Sequence, residues 1–93
     1  MLISGRVKIL RNRRDYYEIN EPVILVAKNT TPDIVIFMDK ILAIVTEVDN
    51  KLSHVAIIAR EYNKPLIMGV FEATKKYQNG DKVVIDTTLN KIC

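Results

Sequence analysis

The chain's only histidine follows a serine, Ser53-His54, at the point where a polar loop gives way to a helical pattern. Imidazole titrates near neutral pH, so its neutral, nucleophilic form is available there. Val55, Ile58, Ala59 and Tyr62 then recur at i, i+3, i+4 and i+7, the spacing of one helix face. This predicts a helix over 53–62, with Ser53 as N-cap and an exposed His54 in the first turn. The first N–H groups of a helix lack intrahelical partners, and the macrodipole is positive there. An anion carried on the ring of His54, such as a phosphoryl group, meets both. The dipole contributes roughly 0.3–1 kcal/mol when exposed and up to about 2 when partly buried. The Ser53 hydroxyl is placed to face the same group. A lone histidine at a helix start also serves as a solvated or capping residue, and spacing alone leaves both readings open.

The elements around this helix are legible from their punctuation. Residues 43–46 read as a strand ending at Thr46, and in open α/β sheets ligands sit at such carboxyl ends. Residues 47–52 form the loop to His54. Asn63 suits the left-handed conformation that closes a helix, and Pro65 pushes Lys64 toward extended geometry. A strand over 66–70 follows, with Gly69 near its end. Upstream, 7–10 read as a first strand after Gly5. Residues 12–20 are a polar connection whose Tyr16, Tyr17 and Ile19 pack onto the core. Val23–Ala27 is continuously apolar, as a strand buried on both faces must be. After a turn at 28–31, Thr31 caps a short helix with Pro32 and Asp33 in its first turn. Ile34, Phe37 and Met38 form its core face, and Lys40 suits its negative end. Downstream come one helical turn at 73–77, a turn signal at Asn79-Gly80, a strand at Lys82–Asp86, a turn at 87–90 and a short strand at Lys91–Ile92. The reading is one α/β domain over residues 1–93, with about five to six strands and two to three helices.

Composition narrows the function classes. Ninety-three residues with charges spread throughout describe one globular domain with a small core. No run approaches the roughly 18 apolar residues of a membrane span, and Met1-Leu2-Ile3 is too short for a secretion signal. One cysteine, Cys93, excludes an internal disulfide and fits a cytoplasmic protein; it reads as a frayed terminal residue. The net charge is +3, from 14 basic and 11 acidic residues. Arg6, Lys8, Arg11, Arg13 and Arg14 form the one basic cluster. It lacks the extent and the interleaved aromatics that nucleic acid requires, and reads instead as a docking surface for an acidic partner or a phosphate-bearing ligand.

Thr46-Glu47, the run Ser53-His54-Val55-Ala56-Ile57-Ile58-Ala59-Arg60-Glu61, and Pro65-Leu66-Ile67-Met68-Gly69 together resemble the phosphohistidine signature of the PEP-utilising enzymes. These include pyruvate phosphate dikinase, phosphoenolpyruvate synthase and enzyme I of the sugar phosphotransferase system. The resemblance extends to Thr30-Thr31-Pro32-Asp33 and Asn79-Gly80-Asp81-Lys82-Val83, most of the chain. It implies a mobile, swivelling β/β/α domain, here as a stand-alone domain. His54 would be the phosphoryl acceptor, with Thr46 beside the imidazole and Ser53 next to the bound group. Arg60 lies nearly two turns beyond His54 and roughly 120° around the helix, which suits a salt bridge or a docking contact better than the phosphate. No metal site or tightly bound cofactor is implied. The phosphoryl donor, PEP or ATP, and any Mg2+ come with partner domains.

Two features depart from the family. Asp49 and Asn50 stand where it usually has two glycines, and Leu52 where it commonly has threonine. Asp and Asn tolerate positive φ, so the turn survives, while the charge of Asp49 would repel a phosphoryl group, or else hold a histidinium or contact Mg2+. The chain also has neither a glycine-rich nucleotide loop nor a barrel. The resemblance therefore implies a phosphotransferase component, not a complete enzyme. It would be a carrier working with separate ATP-binding and PEP- or pyruvate-binding subunits, with no nucleic acid and no membrane. The alternative is a non-catalytic interaction or regulatory module that keeps the fold.

Overall fold

β1, Leu2–Leu10, is shared between two sheets. The computed structural model describes residues 1–50 and 53–92; Leu52 and Cys93, both singled out above, lie outside the described residues. The second half of β1 pairs in parallel with β2, Val23–Ala27, from Val7↔Ile24 to Leu10↔Ala27. Its first half pairs antiparallel with β5, Lys82–Asp86, from Leu2↔Asp86 to Arg6↔Lys82. β2 pairs in parallel with β3, Ile41–Thr46, and β3 with β4, Leu66–Ile67. β5 pairs antiparallel with β6, Lys91–Ile92. The strand order is β4-β3-β2-β1-β5-β6.

Two apolar cores flank the parallel strands. Val23, Leu25 and Ala27 face one, and the alternate residues Ile24 and Val26 face the other. All five are buried, as the unbroken apolar run predicts. The first core is covered by helices: α1, Arg14–Tyr17; a 3-10 helix, Pro32–Lys40; and α2, His54–Glu61. The second contains Val83 and Ile85 of β5 together with Ala43 and Val45 of β3, so a second β layer packs there. Gly5 marks the approach of the layers. A Cβ at this position would lie 2.9 Å from Leu42 Cδ1 and 3.3 Å from carbons of Ile24. The result is the β/β/α layering expected above. Among the described residues no helix is long and apolar enough to cross a membrane.

Several boundaries move. β1 begins at residue 2, not 7, because β5 supplies the pairing that its polar first half does not advertise. The connection 12–20 contains the extra helix α1, which raises the count among the described residues to three α-helices and one 3-10 helix. Its Tyr16 and Ile19 are buried, while Tyr17 is exposed. Tyr16 stacks on Phe37 at 4.8 Å between ring centroids, and Tyr17 meets the same ring edge-on. β4 is two residues long, because at Gly69 (φ +73°) the chain leaves the ladder. α3, Ala73–Lys76, is the expected single turn.

α2 buries Val55, Ile58 and Ala59 as its spacing predicts. Tyr62 is exposed instead, because it is the C-cap, where the backbone has already left helical geometry. Asn63 takes φ +54°, and the Asn63 and Lys64 N–H groups donate to the Arg60 and Ala59 carbonyls, a Schellman closure. Ile58→Ala removes a buried side chain between α2 and the sheet and is expected to cost about 2–5 kcal/mol. A urea titration showing a loss well under 1 kcal/mol would exclude Ile58 from the core.

Candidate functional site

Three loops meet at the carboxyl end of the parallel strands, and backbone hydrogen bonds tie them together. Glu47 N donates to Ala27 O at 3.0 Å, and Val48 N to Lys28 O at 3.1 Å. Gly69 N donates to Val48 O and Val70 N to Thr46 O, both at 3.1 Å. Thr46, completely buried, ends β3, and its hydroxyl donates to Val48 O at 2.9 Å. That bond uses the hydroxyl proton and leaves oxygen lone pairs available to an N–H donor. Asp49 is exposed, and its side chain lies over Gly69. A Cβ on Gly69 would come within 3.1 Å of Asp49 Oδ2.

α2 starts from this loop. Ser53 N donates to Asn50 O at 3.0 Å, and the Ser53 carbonyl accepts from Ala56 and Ile57 N–H. Ser53 sits at the N-cap with extended backbone, as expected, but its hydroxyl makes no capping bond. The Oγ atom is buried and has no hydrogen-bond partner among the described residues. A hydroxyl buried without a partner is costly, so this cap has forgone the usual local solution. His54 is the first helical residue and is exposed. The helix axis points its positive end at this residue. Among the described residues no hydrogen bond joins His54 to Thr46. The structure thus brings Thr46, Asp49, Ser53 and His54 to one end of the sheet. Arg60 lies in the last turn of α2, about 9 Å along the axis from His54, and forms no ion pair among the described residues.

Glu47 is tied in more firmly than its place in a loop indicates. Its Oε2 accepts from Thr74 N at 2.9 Å and from the Thr74 hydroxyl at 2.6 Å. These bonds, the hydroxyl one foremost, hold the Glu47 carboxyl below its ordinary range, with smaller help from Lys28 and Lys75. No local pattern pairs residues 47 and 74, and the only sequence signal was the position of Glu47 directly after the strand threonine. A depressed carboxyl contributes stability that is complete above its unfolded-state pKa and is lost as pH falls through the folded value. Thr74→Val is therefore expected to raise the Glu47 pKa toward the ordinary value, read from the side-chain carboxyl signal in an NMR pH titration. An unchanged titration would show that Thr74 does not hold the charge.

A family model described as the PEP-utilising enzyme, mobile domain, matches residues 19–89. The chain belongs to this family. Mobile-domain relatives include a probable phosphoenolpyruvate synthase of Pyrococcus abyssi, 38% identical over 85 residues that cover 91% of this chain and 10% of that protein. An uncharacterised phosphotransferase of Bacillus subtilis is 36% identical over 91 residues, 98% of this chain and 11% of the relative. The chain thus spans about a tenth of the length of these curated relatives. The solution structure of an Enzyme I protein superposes with a TM-score of 0.71 at 26% identity, over 84% of this chain and 32% of that one. The β/β/α layering is thus the architecture of a mobile domain. Among the described residues no three His, Cys, Asp or Glu side chains gather in a way that could hold a metal ion.

Proposed function

We propose that this mobile domain is a cytoplasmic phosphocarrier whose acceptor is His54. The observation that carries the reading is the exposed imidazole on the first turn of α2, beside the carboxyl end of β3, in a chain of this family. One ring nitrogen attacks the phosphorus of PEP or ATP. A P–N bond forms, the donor's P–O bond breaks, and the leaving oxygen departs with the bonding pair. The second step reverses this sequence toward an acceptor. The other ring nitrogen, as an N–H, is oriented by the lone pairs of Thr46 Oγ1. The Ser53 hydroxyl and the N–H groups at the start of α2 stabilise the bound phosphoryl group. Donor, acceptor and Mg2+ are brought by separate ATP-binding and PEP- or pyruvate-binding subunits, with Arg60 as a docking contact. The domain itself keeps no tightly bound cofactor.

A second reading, a non-catalytic interaction module on the same fold, rests on Asp49. Its carboxylate is exposed in the loop that leads to His54, where it would repel a phosphoryl group. Labelling decides between the two. The folded chain is incubated in extract of its source cells with labelled PEP, or with ATP labelled at the β or γ position. Acid-labile, base-stable label on the chain is the expected result. No label from either donor would favour the interaction module.

A further inference from the structure

The basic cluster of the first segment does not form one surface. Arg6 donates to Gly80 O, Lys8 pairs with Glu18 at 2.9 Å and Arg13 with Asp33 at 2.8 Å. Arg11 turns elsewhere, into a groove of about 590 Å³ at the carboxyl ends of β1 and β2. Leu10, Arg11, Lys28, Asn29, Thr74 and Lys75 line it. Three cations from distant parts of the chain thus converge where α/β sheets hold their ligands.

The polar groups here are mostly donors. Arg11 Nη2 reaches Thr74 O at 3.3 Å, which anchors the guanidinium and leaves its other N–H groups available. The Asn29 side-chain oxygen accepts from Thr30 N, so its amide N–H groups remain to donate. Among the described residues Lys28 forms no ion pair, and Lys75 has only an exposed contact at 3.4 Å with Glu72, a weak competitor for a multiply charged ligand. Of the carboxylates near the groove, Glu47 has two Thr74 donors on one of its oxygens, and Asp15 accepts from the Arg11 and Asn12 backbone N–H groups. Lys28 and Lys75 face the groove from separate elements, and both add a small favourable electrostatic effect on Glu47. A concave wall with convergent positive charge concentrates anions beyond what a flat surface does.

We propose that this groove binds a phosphate-bearing small molecule through Arg11, Lys28, Asn29 and Lys75. The site is separate from the ring of His54, although Lys28 O and Glu47 connect its wall to the His54 loop. It stands whether or not His54 carries phosphate, and it exists in either of the two functional readings.

The test is a titration of the folded chain with inorganic pyrophosphate, followed in amide NMR spectra, against sodium chloride at matched ionic strength. Saturable shifts are expected at residues 11, 28, 29, 74 and 75. Lys28→Gln combined with Lys75→Gln, both exposed and so compatible with folding, should weaken binding roughly tenfold or more. His54→Ala should leave the affinity unchanged, which separates this site from the phosphocarrier reading. Shifts matched by sodium chloride, shifts retained in full by the double variant, or shifts lost in His54→Ala would each overturn the proposal.

Discussion

His54→Ala is expected to leave no acid-labile phosphoryl label on the chain, under conditions where the natural protein is labelled by PEP or ATP. A label on the His54 ring would be a phosphoramidate, which loses its phosphoryl group once the ring nitrogen is protonated, so acid would remove it and base would not. The substitution acts at an exposed position, so stability should stay within about 0.5 kcal/mol and loss of label cannot be laid to unfolding. Three neighbours sharpen the result. Ser53→Ala removes a hydroxyl that makes no hydrogen bond among the described residues, so slower labelling at unchanged stability would show that the hydroxyl acts on the phosphoryl group. Thr46→Val should slow labelling and also cost about 0.5–1.5 kcal/mol, because it breaks the bond to Val48 O. Asp49→Gly should leave labelling unchanged or raise it, since it removes the opposing charge. Label that persists in His54→Ala would refute the site.

Leu25→Ala is expected to cost about 3–5 kcal/mol, the upper part of the range for buried leucines. Leu25 is wholly inaccessible, at the centre of β2 with a parallel strand on each side, and it faces the core beneath the helices. The site has little room to collapse, because Ile44 and Met38, equally inaccessible, belong to the same core. A small domain holds only about 5–15 kcal/mol in total. The variant should therefore shift its urea midpoint sharply, with an unchanged m value if the denatured state is unaltered. A shift equivalent to less than 1 kcal/mol would show that the parallel strands are not the centre of the fold. Because β2 also anchors the loop to His54 through Ala27 O, this variant should lose label only in proportion to the fraction unfolded.

Local patterns were enough for much of this protein. The apolar run Val23–Ala27 and the strands Lys82–Asp86 and Lys91–Ile92 appear with the bounds their sequences predict. So does the positive φ of Asn63, because a side chain that tolerates the left-handed region is a property of one residue. His54 at a helix start was legible for the same reason: a cap, a period of 3.6 and a loop are all encoded within a few residues. The motif around it was specific enough to point to the family.

Tertiary structure decided whatever depends on partners distant in the chain. The first half of β1 is a strand because β5 lies beside it, and Gly5 matters because Leu42 and Ile24 press against it. Tyr62 keeps the helical spacing and is nevertheless exposed, because the Schellman closure ends the helix one residue earlier. Ser53 occupies the cap without using its hydroxyl, a matter of rotamer and surroundings that residue type cannot convey. Glu47 is fastened by Thr74, and Arg11 joins Lys28 and Lys75 around one groove, because parallel pairing brings the carboxyl ends of β1, β2 and β3 to the same edge. Periodicity records which face of an element is apolar; it carries no information on which elements converge, and convergence is what gathers charge.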